Sequence, residues 1–397
     1  MILPETGWRT RPDLIRLTEA LGAREGQVRY VGGAVRDTLL GLPVSDLDLA
    51  TILRPDEVSR RIRAAGFRAV PTGIAHGTVT AVLPSGPVEV TTLRRDVATD
   101  GRRATIAFTE DWREDAARRD FTFNALSADP PDGTIHDYFG GVADLHVGLV
   151  RFIGDPLARI GEDHLRILRF FRFHARFGQG APDPAGLAAC AQRANDLMAL
   201  SRERIAQEML KLLAVIDPTP TVALMVEYKI FAPVLPEIDA DSVKRMARLV
   251  ARERSYGGDP VRRLAALLPS DPALADVVGA RLKLSNAQRK RLISAAEPSE
   301  PGPARALAQA IGVEAARDRL LLRSADPAES MQALEGWTPP RLPIGGGELV
   351  TMGLRAGPLV AATLQAIQQQ WVAEDFPDAS RVRIIAEEKV AQALRAR

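Results

Sequence analysis

Short apolar runs, separated by glycine and proline, characterise the first part of the chain. Four of these runs predict strands: Gln27–Val31, Leu47–Thr51, Thr78–Leu83 and Val88–Leu93. Helical spacing predicts one helix that opens after Gly32-Gly33 and stops at Gly41, and another from Pro55 to Gly66. The polar segment Val97–Thr109 lacks apolar periodicity and is predicted to be a mobile loop. Residues 1–150 are therefore expected to form a domain of mixed α and β structure.

Beyond about residue 155 the pattern changes, because strand signals almost vanish and helical spacing dominates. The helical pattern is broken at Gly178–Pro184, Asp217–Pro220, Glu297–Pro303 and Thr338–Gly347. The chain is thus expected to have an α/β head followed by an all-helical rear part.

Composition narrows the class of protein. Hydrophobic residues make up 46% and charged residues 26% of the 397 residues, with a net charge of +2, so any nucleic-acid surface must be a local patch. Cys190 is the single cysteine, which excludes an intrachain disulfide and a cysteine-rich zinc site. No stretch approaches the ~20 apolar residues of a membrane span, and the N-terminus lacks a signal-peptide pattern, so a cytoplasmic protein is expected.

Two carboxylates behind a glycine turn are the most informative chemical feature. Gly32 and Gly33 lie between a strand and a helix, where backbone N–H groups can approach a phosphate. Asp46 and Asp48 then flank Leu47, and strand alternation places both on one face. Carboxylates so close repel each other unless a cation lies between them, and hard oxygen ligands suit Mg²⁺. Glu89, between two valines of another strand, is a third candidate if that strand pairs nearby. For Asp46 and Asp48, a polar strand edge or turn is the alternative.

Five motifs in order resemble one known family. They are GGAVRD with DLDLAT at Gly32–Thr51, RRDFTFNAL at Arg118–Leu126, DYFGG at Asp137–Gly141, EDHLR at Glu162–Arg166 and SRERIAQEMLKL at Ser201–Leu212. The first resembles the nucleotidyltransferase superfamily that includes DNA polymerase beta. The set is similar to the bacterial, or class II, tRNA CCA-adding enzymes and their poly(A) polymerase relatives. The segment Leu342–Leu364 resembles their tail more loosely.

The resemblance implies an α+β nucleotidyltransferase head with a polymerase-beta-like mixed sheet, followed by an all-α neck, body and tail. It implies boundaries at 1–150 for the head, 151–215 for the neck, 216–297 for the body and 298–397 for a tRNA-binding tail. It also implies two-metal nucleotidyl transfer, with Asp46 and Asp48 as metal ligands and Glu89 as a further catalytic candidate.

The resemblance further implies which residues bind the incoming nucleotide. Arg36 is expected to neutralise the triphosphate, and Arg118, Arg119, Asp120 and Asn124 belong to the motif that holds the ribose. Asp163 and Arg166, taken as i and i+3 neighbours on one helix, are expected to read the base edge. The carboxylate would accept from the amine that C and A share, and the guanidinium would donate to ring acceptors. A helix-surface salt bridge is the alternative for this pair.

Arg169 and Arg172 continue Arg166 at helical spacing toward Arg176, without an intervening acid. This stripe is interpreted as a path for the triphosphate and the RNA acceptor end, and a solvated basic face is the alternative. The phenylalanines of the same helix are expected to be core residues.

The function implied by these motifs is template-independent addition of CMP and AMP, from CTP and ATP, to the 3′ end of tRNA, which builds the CCA terminus. A poly(A) polymerase, or an enzyme that adds only CC or only A, is the alternative with the same chemistry. A non-catalytic RNA-binding protein would be expected to have lost a metal carboxylate, yet Asp46 and Asp48 are both present.

Overall fold

The computed structural model describes residues 1–99 and 104–395, and the chain divides into two compact units, Met1–Val243 and Lys244–Arg397. The first unit contains all the strands that the structure describes. They are β1 (Val28–Val31), β2 (Asp48–Thr51), β3 (Arg68–Gly73), β4 (Thr78–Leu83), β5 (Gly86–Thr92), β6 (Arg94–Thr99), β7 (Ala104–Phe108), β8 (Ser127–Ala128) and β9 (Ile135–His136).

Helices account for most of the remaining structure. The first unit contains α1 (Pro12–Ala20), α2 (Gly33–Leu39), α3 (Pro55–Ala64), α4 (Trp112–Ala117), α5 (Gly141–His146), α6 (Pro156–Glu162), α7 (Arg166–Phe177), α8 (Pro184–Gln192), α9 (Arg202–Leu213) and α10 (Thr219–Glu227). The unit boundary falls within α11 (Ala240–Glu253), and the second unit continues with α12 (Pro260–Leu267), α13 (Pro272–Arg281), α14 (Asn286–Ala295), α15 (Ala304–Ile311), α16 (Val313–Arg323), α17 (Ala328–Ala333), α18 (Gly346–Thr351), α19 (Pro358–Ala373) and α20 (Ala379–Arg395). Within the described ranges, no helix is long and apolar enough to cross a membrane.

The head is built on a seven-stranded mixed sheet in the order β3-β4-β5-β2-β1-β8-β9. β2 and β5 are parallel, and the other neighbouring pairs are antiparallel. Alternation along β2 explains its orientation, because Leu47 and Leu49 are buried in the core while Asp48 between them is exposed. The predicted mixed-sheet head followed by helices is confirmed.

The segment Val97–Thr109 corrects one prediction. Instead of a loop, β6 and β7 pair as a two-stranded antiparallel ribbon, with Arg94 opposite Phe108. Its strands carry no long apolar run because they pair with each other rather than joining the main sheet, so the usual strand signal is absent. The residues that connect them, 100–103, lie outside the described ranges.

Candidate active site

The two strands that carry the predicted carboxylates are neighbours in the sheet. Asp48, the first residue of β2, lies directly opposite Glu89 of β5 in the parallel register. Residues in register on adjacent strands present their side chains on the same face, so both carboxylates lie side by side. Asp46 precedes the strand, is exposed and accepts a hydrogen bond from the Ser45 hydroxyl at 3.0 Å.

The charges around Asp48 are those of a cation site. Partial withdrawal from water raises the pKa of Asp48, Glu89 and Asp46 raise it further, and Arg119 opposes the shift. Across residues 1–99 and 104–395, no group of three Asp, Glu, His or Cys side chains is arranged as a complete metal cage. Such an acidic, open donor set fits a hard divalent cation that takes further oxygen ligands from a phosphate.

The turn between β1 and α2 requires glycine. Gly32 has a φ of +63°, in the left-handed region, and a Cβ atom there would lie 3.2 Å from Nη1 of Arg119. The absence of a side chain therefore lets the Arg119 guanidinium approach the backbone of this turn.

An open cavity of about 480 Å³ lies beside this turn. All the residues predicted to bind the nucleotide line it, namely Gly32, Gly33, Arg36, Arg118, Arg119, Asp120, Asn124, Asp163, Arg166, Arg169 and Arg172. Asp48 also lines the cavity, whereas Asp46 and Glu89 do not. The cavity thus places Asp48, the register partner of Glu89, on the same lining as many guanidinium groups.

A buried carboxylate that the sequence interpretation missed holds two of these guanidinium groups. Asp115 of α4 accepts from Nη2 of Arg118 at 2.8 Å and from Nη2 of Arg119 at 3.2 Å. It also accepts from the backbone N–H of Arg94, the first residue of β6, at 3.1 Å. Although burial raises the pKa of Asp115, Arg119 and Arg118 lower it more, so the net shift is downward.

Asp120 and Asn124 form a second polar centre. The buried Asp120 carboxylate accepts from Nδ2 of Asn124 at 2.9 Å and from Nε of Arg169 at 2.6 Å. Burial by itself raises the pKa of Asp120, but Arg169 and Asn124 lower it overall. The Oδ1 atom of Asn124 in turn accepts from Nη1 of Arg36 at 2.6 Å. These bonds connect α2, the segment after α4, and α7.

The predicted single helix through Asp163 and Arg166 is wrong. α6 ends at Glu162, Asp163 is extended (φ −150°, ψ 106°), and α7 begins at Arg166. The reason is local, because the Asp163 carboxylate accepts from the backbone N–H of Leu165 at 3.1 Å, which competes with helix continuation. The same carboxylate also accepts from Nη2 of Arg204 in α9, at 2.8 and 3.1 Å.

Arg166 has partners other than Asp163. Its Nη1 donates to Glu162 at 2.6 Å and to the carbonyl of Arg159 at 2.9 Å, and its Nη2 donates to the carbonyl of Arg118 at 2.8 Å. Asp163 therefore forms its ion pair with Arg204 and Arg166 forms one with Glu162, and both residues line the cavity.

The arginine stripe of α7 is not a solvated face. Arg169 pairs with Asp120, Arg172 donates to Glu208 of α9 at 2.6 Å, and Arg176 lies 3.3 Å from Asp37. Arg166 and Arg172 are both buried. The phenylalanines at 170, 171 and 173 are buried as predicted, and Phe173 also lines the cavity.

Two protein families match parts of this chain. The model described as "Poly A polymerase head domain" matches residues 28–151, and "Probable RNA and SrmB- binding site of polymerase A" matches residues 181–242. The first match contains β1 to β9, and the second contains α8, α9 and α10.

Named relatives extend the similarity over most of the chain. The chain is 34% identical to "CCA tRNA nucleotidyltransferase 1, mitochondrial" of Homo sapiens over 373 residues, which cover 89% of this chain and 85% of that protein. It is 39% identical over 228 residues to the "CCA-adding enzyme" of Lacticaseibacillus paracasei, covering 56% of each.

Among solved structures, the chain resembles the CCA-adding enzyme of Bacillus stearothermophilus in complex with CTP. The TM-score is 0.75 at 28% identity, over 96% of this chain and 99% of that one. The fold is also shared with the Thermotoga maritima CCA-adding enzyme complexed with tRNA, with a TM-score of 0.70 at 23% identity, over 97% of this chain and 96% of that one.

Proposed function

The chain belongs to the family of CCA tRNA nucleotidyltransferases, and from this premise we propose that its head cavity selects the nucleotides of the CCA end. The protein is an enzyme that adds CMP and AMP to the 3′ end of tRNA. The observation that supports the cavity as the active site is that Asp48, which lies beside Glu89 in the sheet, lines it together with many arginines. Such a wall can hold a triphosphate while the carboxylates hold its metal.

Members of the nucleotidyltransferase family use divalent metal ions. We propose that Asp46 and Asp48 hold Mg²⁺ here and that Glu89, next to Asp48, adds to the negative charge that retains it. When bound, the metal ions would activate the attacking 3′-hydroxyl and stabilise the leaving pyrophosphate. The RNA 3′-oxygen attacks the α-phosphorus, the bond between the α-phosphorus and the bridging oxygen breaks, and pyrophosphate leaves.

The arginines around the glycine turn are proposed to bind the triphosphate and the ribose. Arg36, Arg118 and Arg119 bring three positive charges, and each is held by a carboxylate or amide rather than left mobile. Their fixed orientation reduces the entropy lost when the nucleotide binds. Asp120 and Asn124 lie on the same wall and are proposed to act at the ribose hydroxyls.

Base choice is proposed to depend on Asp163 and Arg166. Arg204 and the N–H of Leu165 hold the Asp163 carboxylate, which leaves lone pairs that can accept the amine of C or A. The Arg166 guanidinium, fixed by Glu162 and two backbone carbonyls, has further N–H donors for the ring acceptors of C or A. Uracil and guanine present the opposite polarity at these positions. Arg169 and Arg172 support this wall through their pairs with Asp120 and Glu208.

Three earlier expectations remain proposals. They are the division into head, neck, body and tail at residues 150, 215 and 297, the role of the tail in tRNA binding, and a cytoplasmic location. The name of the human relative contains the word mitochondrial, so relatives are found in more than one compartment.

The decisive experiment is incubation with tRNA that lacks its CCA end and with each labelled nucleotide, resolved at single-nucleotide steps. CCA addition gives two C additions from CTP and one A addition that requires the preceding CC. The family that matches residues 28–151 is named after poly(A) polymerase, so poly(A) addition is the second candidate function. A ladder of A residues on any RNA, or products that stop at CC, would contradict the proposed function.

A further inference from the structure

A second cavity rich in arginine lies entirely within the unit Lys244–Arg397. It has a volume of about 350 Å³ and is lined by Arg245, Arg248, Arg252 and Arg323, with Glu300 as the acidic residue of the lining. Helices α11, α12 and α16 and the segment after α14 contribute its walls. None of these residues belongs to the nucleotide cavity of the head.

Backbone carbonyls at helix ends hold three of these guanidinium groups. Arg245 donates to a carbonyl in the last turn of α12 at 3.2 Å, Arg252 to one in the last turn of α16 at 3.0 Å, and Arg323 to the last residue of α14 at 3.4 Å. Such bonds fix the direction of each guanidinium but do not remove its charge. Capping of helix ends therefore explains these three arginines, but it does not explain Arg248.

The arginines of this cavity carry more positive charge than the neighbouring helix ends and acids offset. Each helix C-terminus carries about half a negative charge, so three helix ends together offset about 1.5 of the four positive charges. Glu300 offsets one more, and beside Arg323 a second acid, Glu297, is opposed by a further arginine, Arg319, so arginines still outnumber acids here. Elsewhere in the same unit, buried arginines receive carboxylate partners: Arg262 and Arg263 both donate to Glu253, at 2.6 and 2.7 Å.

Two arginines of this cavity have unused donors. Arg248 is exposed and, within the described ranges, has neither a hydrogen bond nor an ion pair. Nε of Arg323 is buried and has no hydrogen-bond partner in the part of the chain that the structure describes. Burial, Arg319 and Arg245 lower the pKa of Arg323 more than Glu297 and Glu300 raise it, so the net shift is downward.

We propose that this cavity is a phosphate-binding site, separate from the nucleotide site of the head. The guanidinium fork matches the geometry of phosphate oxygens, and arginines fixed in advance lose little freedom when they bind. A phosphate group carries one to two negative charges, opposite in sign to the surplus of arginines that line the cavity. The phosphate belongs either to a free anion such as pyrophosphate or to the backbone of the RNA substrate, since both present the same oxygens.

The full-length protein tests this site through Arg248, because this side chain is exposed and its removal breaks no bond within the fold. Arg248→Ala and Arg248→Glu are compared with Arg254→Ala, an exposed arginine just beyond α11 that does not line the cavity. Arg323→Gln is a second variant, and melting temperatures verify that each protein is folded. Binding of inorganic pyrophosphate is measured by titration calorimetry, and binding of tRNA that lacks CCA is measured from low to moderate salt.

Each result has a distinct meaning. A free anion predicts about tenfold weaker pyrophosphate binding at one of two sites in Arg248→Ala, with Arg254→Ala unchanged. An RNA phosphate predicts that the slope of log K against log salt falls by about 0.7–0.9 and that the KM for tRNA rises, while kcat at saturating tRNA is retained. If both ligands bind the Arg248 and Arg254 variants equally, the proposal is refuted and the arginines only cap helices. If the wild-type protein incorporates no CTP at saturating tRNA, the proposed function itself is contradicted.

Discussion

Replacing Asp115 with asparagine should impair nucleotide binding although this side chain does not line the cavity. Asp115 holds Arg118 and Arg119, which do line it, and the three residues lie within one turn of helix and the residues after it. Asparagine keeps the shape and one acceptor, so the bond from the Arg94 N–H can persist. The amide removes the negative charge, however, and turns an N–H₂ group toward the guanidinium of Arg119, which donates to the other carboxylate oxygen.

The expected size of the effect of Asp115→Asn follows from how deeply the three side chains are buried. The side chains of Arg118 and Arg119 are only 18% and 21% exposed, and that of Asp115 is 6% exposed. Removing one partner of a buried ion pair costs about 3–5 kcal/mol, and the retained bond to Arg94 places the loss in unfolding free energy near 3 kcal/mol. If about half of that loss appears in nucleotide binding, kcat/KM for CTP and ATP falls about tenfold.

The assay combines steady-state kinetics with urea unfolding, and Glu114→Gln is the matched control. Glu114 is the preceding acid on the same helix, is exposed, and accepts from the Thr109 hydroxyl at 2.6 Å. The variant Glu114→Gln should keep both stability and KM within twofold. An Asp115→Asn protein that is less stable but has unchanged KM values for CTP and ATP would refute the positioning role and leave a purely structural ion pair.

The pH dependence of stability gives an independent check. Because the pKa of Asp115 is lower in the folded state than its usual value of 3.8, its stabilisation is present above that value. It is lost as the pH falls through the folded-state pKa. The difference in unfolding free energy between wild type and Asp115→Asn should therefore be constant at neutral pH and shrink below about pH 4.

Three further predictions concern the cavity itself. Asp48→Ala should abolish incorporation of both CTP and ATP without loss of fold, and substantial Mg²⁺-dependent activity would contradict its assignment as a metal ligand. Arg119→Ala should lower the preference for CTP over dCTP, measured as the ratio of their kcat/KM values; an unchanged ratio would exclude a role at the ribose. Asp163→Ala should relax rejection of UTP and GTP by about one to two decades, since an unsatisfied buried polar group costs roughly 1–3 kcal/mol. If selectivity stays intact while the melting temperature drops, Asp163 serves only as the partner of Arg204.

Local patterns predicted the head well where apolar alternation was strong. The runs that became β1, β2, β4 and β5 lie in the core of the sheet, and the paired strands bring Asp48 and Glu89 together. β3 was not predicted because Pro71 and its mostly exposed side chains give it no alternation. The ribbon β6–β7 was missed for the related reason that it contributes no strand to the main sheet.

The partners of the site residues could not be predicted, since they depend on contacts distant in sequence. Glu208 lies 36 residues from Arg172, and Asp37 lies 139 residues from Arg176. A run without acids in α7 therefore looked like an unpaired basic stripe until the fold supplied acids from other elements. Asp115 carried one local signal, since it precedes Arg118 and Arg119 by three and four residues on a helix.

The bond between Asp120 and Arg169 has a consequence for how the enzyme is made. The family match that contains Asp120 ends at residue 151. Arg169, the cation that compensates this buried carboxylate, is synthesised later, in α7. Once residues 1–150 have left the ribosome, the carboxylates of Asp48 and Glu89 are present, but the buried Asp120 still lacks its cation. Competence for nucleotide binding is thus acquired when α7 and α9 emerge and dock, so a nascent or truncated head should not consume CTP.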